Sequence, residues 1–284
     1  MLGNPLTRIM VPVDFSEVSA PLVEYAGRLA SRYGSEVVLI HVIEEGIVEH
    51  VASGYNVEAL VRDLEEHARS RMEELADILR GAGVSVTIYP EMPIGDPAAV
   101  ISHIAGEEGV SEVLIASKGW GIKRLIPLGS TARLLIKLSP VPVIRLKAVK
   151  ADDRVDLLGA TEDLFNRMLV AVKPGYGEAL RDYLPALAEK VKPEITLVYI
   201  EEEEHSMDFA RELEDVLKAR GASVSSMMLS GKPYQRIIEA AEHLEASIVV
   251  IERSVREGLR ELFMGSTMVN LANKLNKPLM VLPR

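Results

Sequence analysis

The chain has 284 residues, of which 48% are apolar and 26% charged, and its formal net charge is −10. This composition is typical of a soluble globular protein with one large or two ordinary domains. The absence of Cys excludes disulfides, thiolate metal sites and cysteine nucleophiles, and the acidic balance argues against nonspecific nucleic-acid binding. No apolar run reaches the roughly 18 residues of a membrane span, and no secretory signal is evident, so we expect a cytoplasmic protein with no membrane partner.

Strands and helices alternate along the first half of the chain. The pattern predicts strands over 9–13, 37–43, 85–89, 113–116 and 141–146. It predicts helices over about 18–34, 57–80, 97–107 and 131–138. Gly34 is expected to end the first helix, and Asp96 and Pro97 to begin the third as N-cap and first helical residue. Because the strands are apolar on both faces, we predict a doubly wound, five-stranded parallel α/β sheet.

The second half of the chain repeats the first. "RIMVPVDFS" (8–16) resembles "RMLVAVKPG" (167–175), and "LGST" (128–131) matches "MGST" (264–267). Several ordered matches at near-constant spacing indicate a duplication. We therefore predict two tandem α/β domains, residues 1–148 and 166–284, joined by a linker over 149–165.

The candidate site lies where the first and fourth strands of the first domain end. In open parallel sheets, ligands bind beyond the carboxyl ends of the strands, at the point where the strand order reverses. Val13 and Asp14 end the first strand, Gly119 follows the fourth, and Ser130, after Gly129, is expected to be the N-cap of the next helix. A helix N-terminus favours phosphate, and glycine allows close approach of the backbone. This edge is therefore expected to bind a phosphorylated ligand.

These segments resemble the universal stress protein family. Its nucleotide-binding members carry, after strand four, Gly-x-x-Gly, nine residues and then Gly-Ser/Thr. This chain reads "ASKG" (116–119), nine residues and then Gly129-Ser130, with Ala116 in place of the first glycine. The opening "IMVPVDFSEVS" also matches the family's first strand, with Asp14 at the position of the family's Asp.

The resemblance implies that the first domain binds an adenine nucleotide, ATP or AMP, with Mg²⁺ as an open question. It places the adenine between the ends of the first two strands and the phosphates at the start of the helix that follows the fourth strand. The implied ligand-contacting residues are Pro12, Val13, Asp14, Val42, Ala116, Lys118, Gly119, Gly129, Ser130 and Thr131. Ala116 is compatible with a ligand only if its φ is negative and its methyl group fits beside the ligand. Lys123 and Arg124 would add positive charge, and Trp120 would either pack the loop against its own domain or cap the nucleotide.

The second domain departs from this motif. Glu252 and Val255 stand at the two glycine positions, and Lys173 stands at the position of Asp14. Because a carboxylate would repel phosphates, we expect this domain to be structural and to bind no nucleotide. We expect Lys173 and Glu252 to form an ion pair that fills the hollow, with two solvated side chains as the alternative.

The chain contains no evident catalytic motif. A His-Glu-x-x-His zinc motif, a Gly-x-Ser-x-Gly elbow and a P-loop are all absent. We therefore expect a nucleotide-binding regulatory protein of the stress response rather than an enzyme, with a slow ATP hydrolase or a ligand-free dimerisation scaffold as alternatives.

The resemblance also implies pairing through the last strand of each domain. Here the strands over 141–146 and 279–283 would pair within one chain as a pseudo-dimer. A homodimer of two such chains is a further expectation, and the long helix over 57–80 is a candidate for that second contact.

Overall fold

Each half of the chain contributes five parallel strands to one continuous sheet. The computed structural model describes residues 2–46, 57–119, 129–151, 154–173, 177–200, 206–253 and 266–284. The strands of the first half are β1 (Arg8–Pro12), β2 (Glu36–Ile40), β3 (Ile43–Glu44), β4 (Val86–Ile88), β5 (Ile94–Gly95), β6 (Glu112–Gly119) and β7 (Val143–Ala151). Five of them form the sheet in the order β4-β2-β1-β6-β7, with parallel pairing throughout, while β3 and β5 form a separate pair.

The second half has the same strand order. Its strands are β8 (Arg154–Leu158), β9 (Arg167–Val172), β10 (Glu194–Ile200), β11 (Ser223–Leu229), β12 (Ile248–Glu252) and β13 (Leu279–Leu282). The order β11-β10-β9-β12-β13, again with parallel pairing, reproduces that of the first half. The predicted tandem of two doubly wound, five-stranded α/β sheets is confirmed.

The two five-stranded halves are joined edge to edge. β13 pairs antiparallel with β7, and Met280 lies opposite Ile144. The predicted pairing of the two last strands within one chain is confirmed. Both strands would otherwise be apolar sheet edges, which tend to pair with other chains.

Helices cover both faces of this sheet. They are α1 (Ser19–Tyr33), α2 (Val57–Gly81), α3 (Pro97–Glu107), α4 (Ser130–Leu138), α5 (Glu178–Val191), α6 (Ser206–Ala219), α7 (Pro233–His243) and α8 (Ser266–Lys274). One core contains side chains of α1, α2, α5 and α6, and the other contains side chains of α3, α4, α7 and α8. Successive strand residues such as Ile9 and Met10 are fully buried in opposite cores, which explains the unbroken apolar runs in the sequence.

The predicted helix boundaries follow from their capping residues. α1 ends at Gly34, which has the left-handed conformation with φ 68° that glycine adopts without steric cost. At the start of α3 the carboxylate of Asp96 accepts a hydrogen bond from the N–H of Ala99 at 2.9 Å, and Pro97 is the first helical residue.

Several strand boundaries differ from the predictions, and β2 ends at Ile40 rather than at residue 43, with Ile43 in the separate strand β3. β6 continues from Ala116 to Gly119, and β7 continues from Leu146 to Ala151, because the two extensions pair with each other. β8 lies inside the predicted linker and pairs antiparallel with the extension of β7. These segments mix polar and apolar residues without a continuous apolar run, so the sequence pattern alone does not mark them as strands. Among the described residues, no helix combines the length and the apolarity of a membrane span.

Candidate functional site

A cavity of about 350 Å³ lies beyond the carboxyl ends of β1, β2 and β6. Helices α1 and α2 wall it from one face of the sheet, and α3 and α4 from the other. This volume falls within the range of small-molecule sites. The predicted ligand-contacting residues in its wall are Pro12, Val13, Asp14, Val42, Ala116 and Thr131.

The other four predicted residues are close to wall residues in the sequence. Lys118 and Gly119 follow Ala116 in β6, and Gly129 and Ser130 immediately precede Thr131 at the start of α4. The structure thus brings the ends of β1, β2 and β6 and the start of α4 together, as the topology predicts. The remaining residues that we considered for this loop and its counterpart, Trp120, Lys123, Arg124 and Val255, lie outside the described residues.

The start of α4 differs from the prediction by one position. Gly129, and not Ser130, is the N-cap, with φ −54° and ψ 152°. The N–H of Arg133 donates to the carbonyl of Gly129 at 3.0 Å, which closes the first turn one residue earlier. Gly129 has no side chain that could cap this N-terminus, and the first N–H groups of a helix lack intrahelical partners and favour an anion.

Packing of the protein does not explain the glycine at position 129. Its φ is negative, a conformation open to any residue. A Cβ at this position would meet no atom of the described residues within 4 Å. The space beside Gly129 is therefore open as far as the described residues show, and glycine is also one of the residues favoured at an N-cap.

Ala116 satisfies the first condition for compatibility with a ligand, a negative φ, and whether its methyl group fits beside a ligand stays a prediction. It lies within β6, where φ is negative, and it is not among the residues with positive φ. Its methyl group is part of the wall, and the cavity remains open beside it.

Asp14 is oriented by the loop between β1 and α1. Its Oδ1 accepts hydrogen bonds from the N–H of Ser16 at 3.0 Å and from the Oγ–H of Ser19 at 3.1 Å. Between them, Phe15 has a positive φ of 57°, an uncommon conformation for a non-glycine residue that tends to occur at functional sites. The loop thus presents an exposed carboxylate at a fixed position on the rim of the cavity.

His41 is a wall residue that sequence reasoning missed. Its Nδ1 lies 2.8 Å from the carbonyl oxygen of Val13, so Nδ1 carries the hydrogen, because a carbonyl only accepts. Its ring packs on Phe15 with centroids 4.3 Å apart. Nothing in the sequence around His41 marks it as a site residue.

Helix α2 forms a further wall that the sequence did not predict. Leu64, His67 and Ala68 face the cavity from its middle turns. We had considered this helix only as a contact between chains.

At the position of Ala116, the second domain has the side chain of Glu252. Among the described residues, both carboxylate oxygens of Glu252 are buried without a hydrogen-bond partner. Burial raises the pKa of this carboxyl. The pKa is lowered in part by the nearby N–H groups of Ala179 and Gly177, which fall short of hydrogen-bonding geometry, and by the charge of Arg284. The predicted ion pair between Glu252 and Lys173 is wrong, because the carboxylate instead faces the N-terminus of α5, whose positive end favours an anion.

An aromatic ring packs close to this carboxylate. Phe209 of α6 lies against Gly177, the N-cap of α5, so closely that a Cβ at position 177 would overlap the ring. The guanidinium of Arg181 stacks on the ring of Phe209, 4.6 Å from its centroid. Glu252 and Phe209 thus place side chains around the start of α5, whereas the start of α1 borders the cavity in the first domain.

Comparison with known proteins agrees with this architecture. The model of the Universal stress protein family matches residues 5–147 and again residues 165–283. The chain therefore belongs to the universal stress protein family, and it contains two copies of the family's domain.

Its similarity to individual relatives covers either one copy or both. Universal stress protein MJ0577 of Methanocaldococcus jannaschii is 29% identical over 154 residues, which are 49% of this chain and 94% of that protein. A universal stress protein of Mycolicibacterium smegmatis is 26% identical over 292 residues, covering 96% of each chain. The crystal structure of a universal stress protein from Archaeoglobus fulgidus shares the fold, with a TM-score of 0.78, 23% identity and 98% coverage of both chains.

Proposed function

We propose that the first domain binds an adenine nucleotide, ATP or AMP, in the cavity beyond β1, β2 and β6. In this proposal the chain is a nucleotide-responsive regulatory protein of the stress response, and it holds one nucleotide. The observation that carries the proposal is the convergence of a largely apolar cavity with a helix N-terminus that no described side chain caps.

Each part of the site has a distinct role in this proposal. The apolar wall, including Ile101 and Leu135, would take the flat face of the base out of water. The exposed carboxylate of Asp14 would accept a hydrogen bond from an amino or hydroxyl group of the nucleoside. The first N–H groups of α4 would bind the phosphates.

The glycine at position 129 supports the same assignment. A phosphate that binds to backbone N–H groups must come close to the chain, and a side chain at the N-cap would stand in its way.

The second domain has a structural role in this proposal. Glu252 presents a carboxylate at the start of α5, where a second nucleotide would require a neutral, small residue. The repulsion between that carboxylate and a phosphate explains why we assign one site, and not two, to the chain.

Replacement of Ala116 by Leu tests the proposed site, with Glu252→Leu as its matched control. Both variants place the same side chain at the same position of the two copies. A ligand at 100 times its dissociation constant stabilises a protein by roughly 2.7 kcal/mol, so ATP or AMP should raise the unfolding temperature of the wild type. We expect Glu252→Leu to keep this shift and Ala116→Leu to lose it, because the larger side chain fills the cavity.

Three results would count against the proposal. No shift of the wild type with ATP or AMP, with or without Mg²⁺, would favour a ligand-free scaffold. An unchanged shift in Ala116→Leu would place the nucleotide elsewhere. Steady release of phosphate at turnover would show an ATP hydrolase rather than a binding protein.

A further inference from the structure

Helix α4 is held at its C-terminus by a side chain of the other domain. Nη1 of Arg253 donates hydrogen bonds to the carbonyl oxygens of Lys137 and Ser139, at 2.8 and 2.9 Å. These carbonyls belong to the group that a helix leaves without intrahelical partners at its end. Arg253 therefore caps, from the second domain, a helix of the first.

Arg253 is itself firmly placed. It directly follows β12, and its backbone N–H donates to the carbonyl of Leu282 at 2.8 Å. Leu282 belongs to β13, the strand that pairs with the first domain. Burial lowers the pKa of Arg253, and an arginine side chain nevertheless stays charged near neutral pH.

The opposite end of α4 faces the cavity. The helix has nine residues, which corresponds to about 13 Å, and its second residue, Thr131, lines the cavity. A cation at the C-terminus of a helix complements the helix dipole. Arg253 thus acts on the same short, rigid element that presents its N–H groups to the ligand.

Each domain caps the end of a helix of the other domain with an arginine, but the two arginines occupy different positions in their domains. In the first domain, Arg145 donates from β7 to the carbonyls of Leu271 and Leu275, at 3.2 and 3.3 Å, at the end of α8. Helix α8 is the counterpart of α4 in the domain whose hollow contains Glu252. Arg145 is therefore a matched control, since its side chain caps the equivalent helix of the other domain and does not line the cavity.

We propose that Arg253 is a positioning residue for the nucleotide site: by holding α4 from the second domain, it sets the affinity of the first domain for the nucleotide's phosphates. This inference rests on the proposed function. It gives the second domain a part in binding although its own copy of the motif has Glu252 at the position of Ala116.

The test compares Arg253→Met with Arg145→Met in the full chain. Calorimetric titration gives the dissociation constants of ATP and AMP, and thermal unfolding without ligand gives the stability of each variant. We expect Arg253→Met to weaken binding of ATP at least fivefold, Arg145→Met to change it less than twofold, and Arg253→Lys to restore part of the loss. A merely structural role of Arg253 would lower the unfolding temperature without this change in affinity.

A second control guards against a failure of Arg145→Met to fold. Lys190→Met removes another contact between the domains, the hydrogen bond from Nζ to the carbonyl of Leu6 at 2.6 Å, far from α4 in the sequence. Unchanged affinity in Arg253→Met would overturn the inference, and so would equal losses in Arg253→Met and in the control variants. Binding by the wild type with either of these results leaves the proposed function standing, whereas no binding by the wild type overturns both.

Discussion

Ala116 and Glu252 occupy the same position of the two copies, and they have opposite consequences for a ligand. The methyl group of Ala116 contributes to the wall of an open cavity. The carboxylate of Glu252 is buried and directed at a helix N-terminus, where it provides the negative charge that a phosphate would otherwise bring. In the proposed function, this one position therefore distinguishes the nucleotide-binding domain from the structural one.

Gly129→Ala tests the role of the α4 N-cap at the scale of a single residue. Since a methyl group meets no described atom within 4 Å, we expect the free energy of unfolding to change by less than about 1 kcal/mol. We expect the affinity for ATP to fall about tenfold, which corresponds to about 1.4 kcal/mol, because the methyl group interferes with the phosphates. Urea unfolding and equilibrium binding measure the two effects separately, and a loss of stability without a loss of affinity would contradict this account.

The site residues that could be predicted from the sequence are those at strand ends and in the glycine motif. Pro12, Val13 and Thr131 lie in the cavity wall because the topology of a parallel sheet fixes where strand ends meet. His41 was missed because nothing in its local sequence distinguishes it. Its hydrogen bond to Val13 and its contact with Phe15 arise only when the ends of β1 and β2 come together.

At the scale of elements, α2 is the main asymmetry between the domains. It has 25 residues, whereas its counterpart α6 has 14. Its middle turns supply a wall of the cavity through residues such as Leu64 and Ala68. The extra length therefore belongs to the domain with the candidate site.

Two alanines of α2 provide a matched test of this wall. Ala68 and Ala76 are both buried, and only Ala68 lines the cavity. We expect both Ala68→Leu and Ala76→Leu to lower stability by about 1–3 kcal/mol through overpacking, and only Ala68→Leu to weaken nucleotide binding, by at least tenfold. Titration of both variants with ATP checks this, and equal affinities would show that α2 does not border the ligand.

The elements themselves follow largely from local patterns, and their exceptions have a common cause. Apolar runs and capping residues such as Gly34 and Asp96 marked the buried strands and the ends of helices. The extensions of β6 and β7 and the whole of β8 were not predicted, because they lack a continuous apolar run and pair with one another. Such pairing depends on the neighbouring strand rather than on the sequence of the strand itself.

At the scale of the whole molecule, the two domains share polar contacts as well as a sheet. Glu112, at the start of β6, is fully buried, and it accepts hydrogen bonds from the N–H of Leu6 at 2.8 Å, from Ser111 Oγ at 2.6 Å and from the hydroxyl of Tyr183 in the second domain. Lys190, also in the second domain, binds the carbonyl of Leu6. Hydrogen bonds thus connect the two domains on the α5 side of the sheet, in addition to the pairing of β7 with β13.

The buried Glu112 predicts a specific dependence of stability on pH. Burial raises the pKa of this carboxyl in the folded state, although Ser111, Tyr183, Leu6 and Lys190 lower it in part. Above the ordinary pKa of Glu, the folded state therefore binds more protons than the unfolded state, so the contribution of Glu112 to stability increases as the pH falls towards that value.

Glu112→Gln removes this titration. The unfolding temperature of the wild type minus that of Glu112→Gln should increase as the pH is lowered from 7.5 to 5. For a chain of this size, about 1 kcal/mol corresponds to a shift on the order of 2 °C. Thermal unfolding of both proteins at the two pH values provides the measurement. A difference that stays constant, or that falls with acidification, would show that the pKa of Glu112 is not raised in the folded state.

The central claim, that this pseudo-symmetric molecule holds one nucleotide and holds it in its first domain, is tested most directly by the binding stoichiometry. Calorimetric titration of the full chain with ATP and with AMP counts the sites without reference to their position. We predict one site per chain for the wild type and for Glu252→Leu, and none for Ala116→Leu. Two sites per chain, no site in the wild type, or one site that persists in Ala116→Leu would contradict the account.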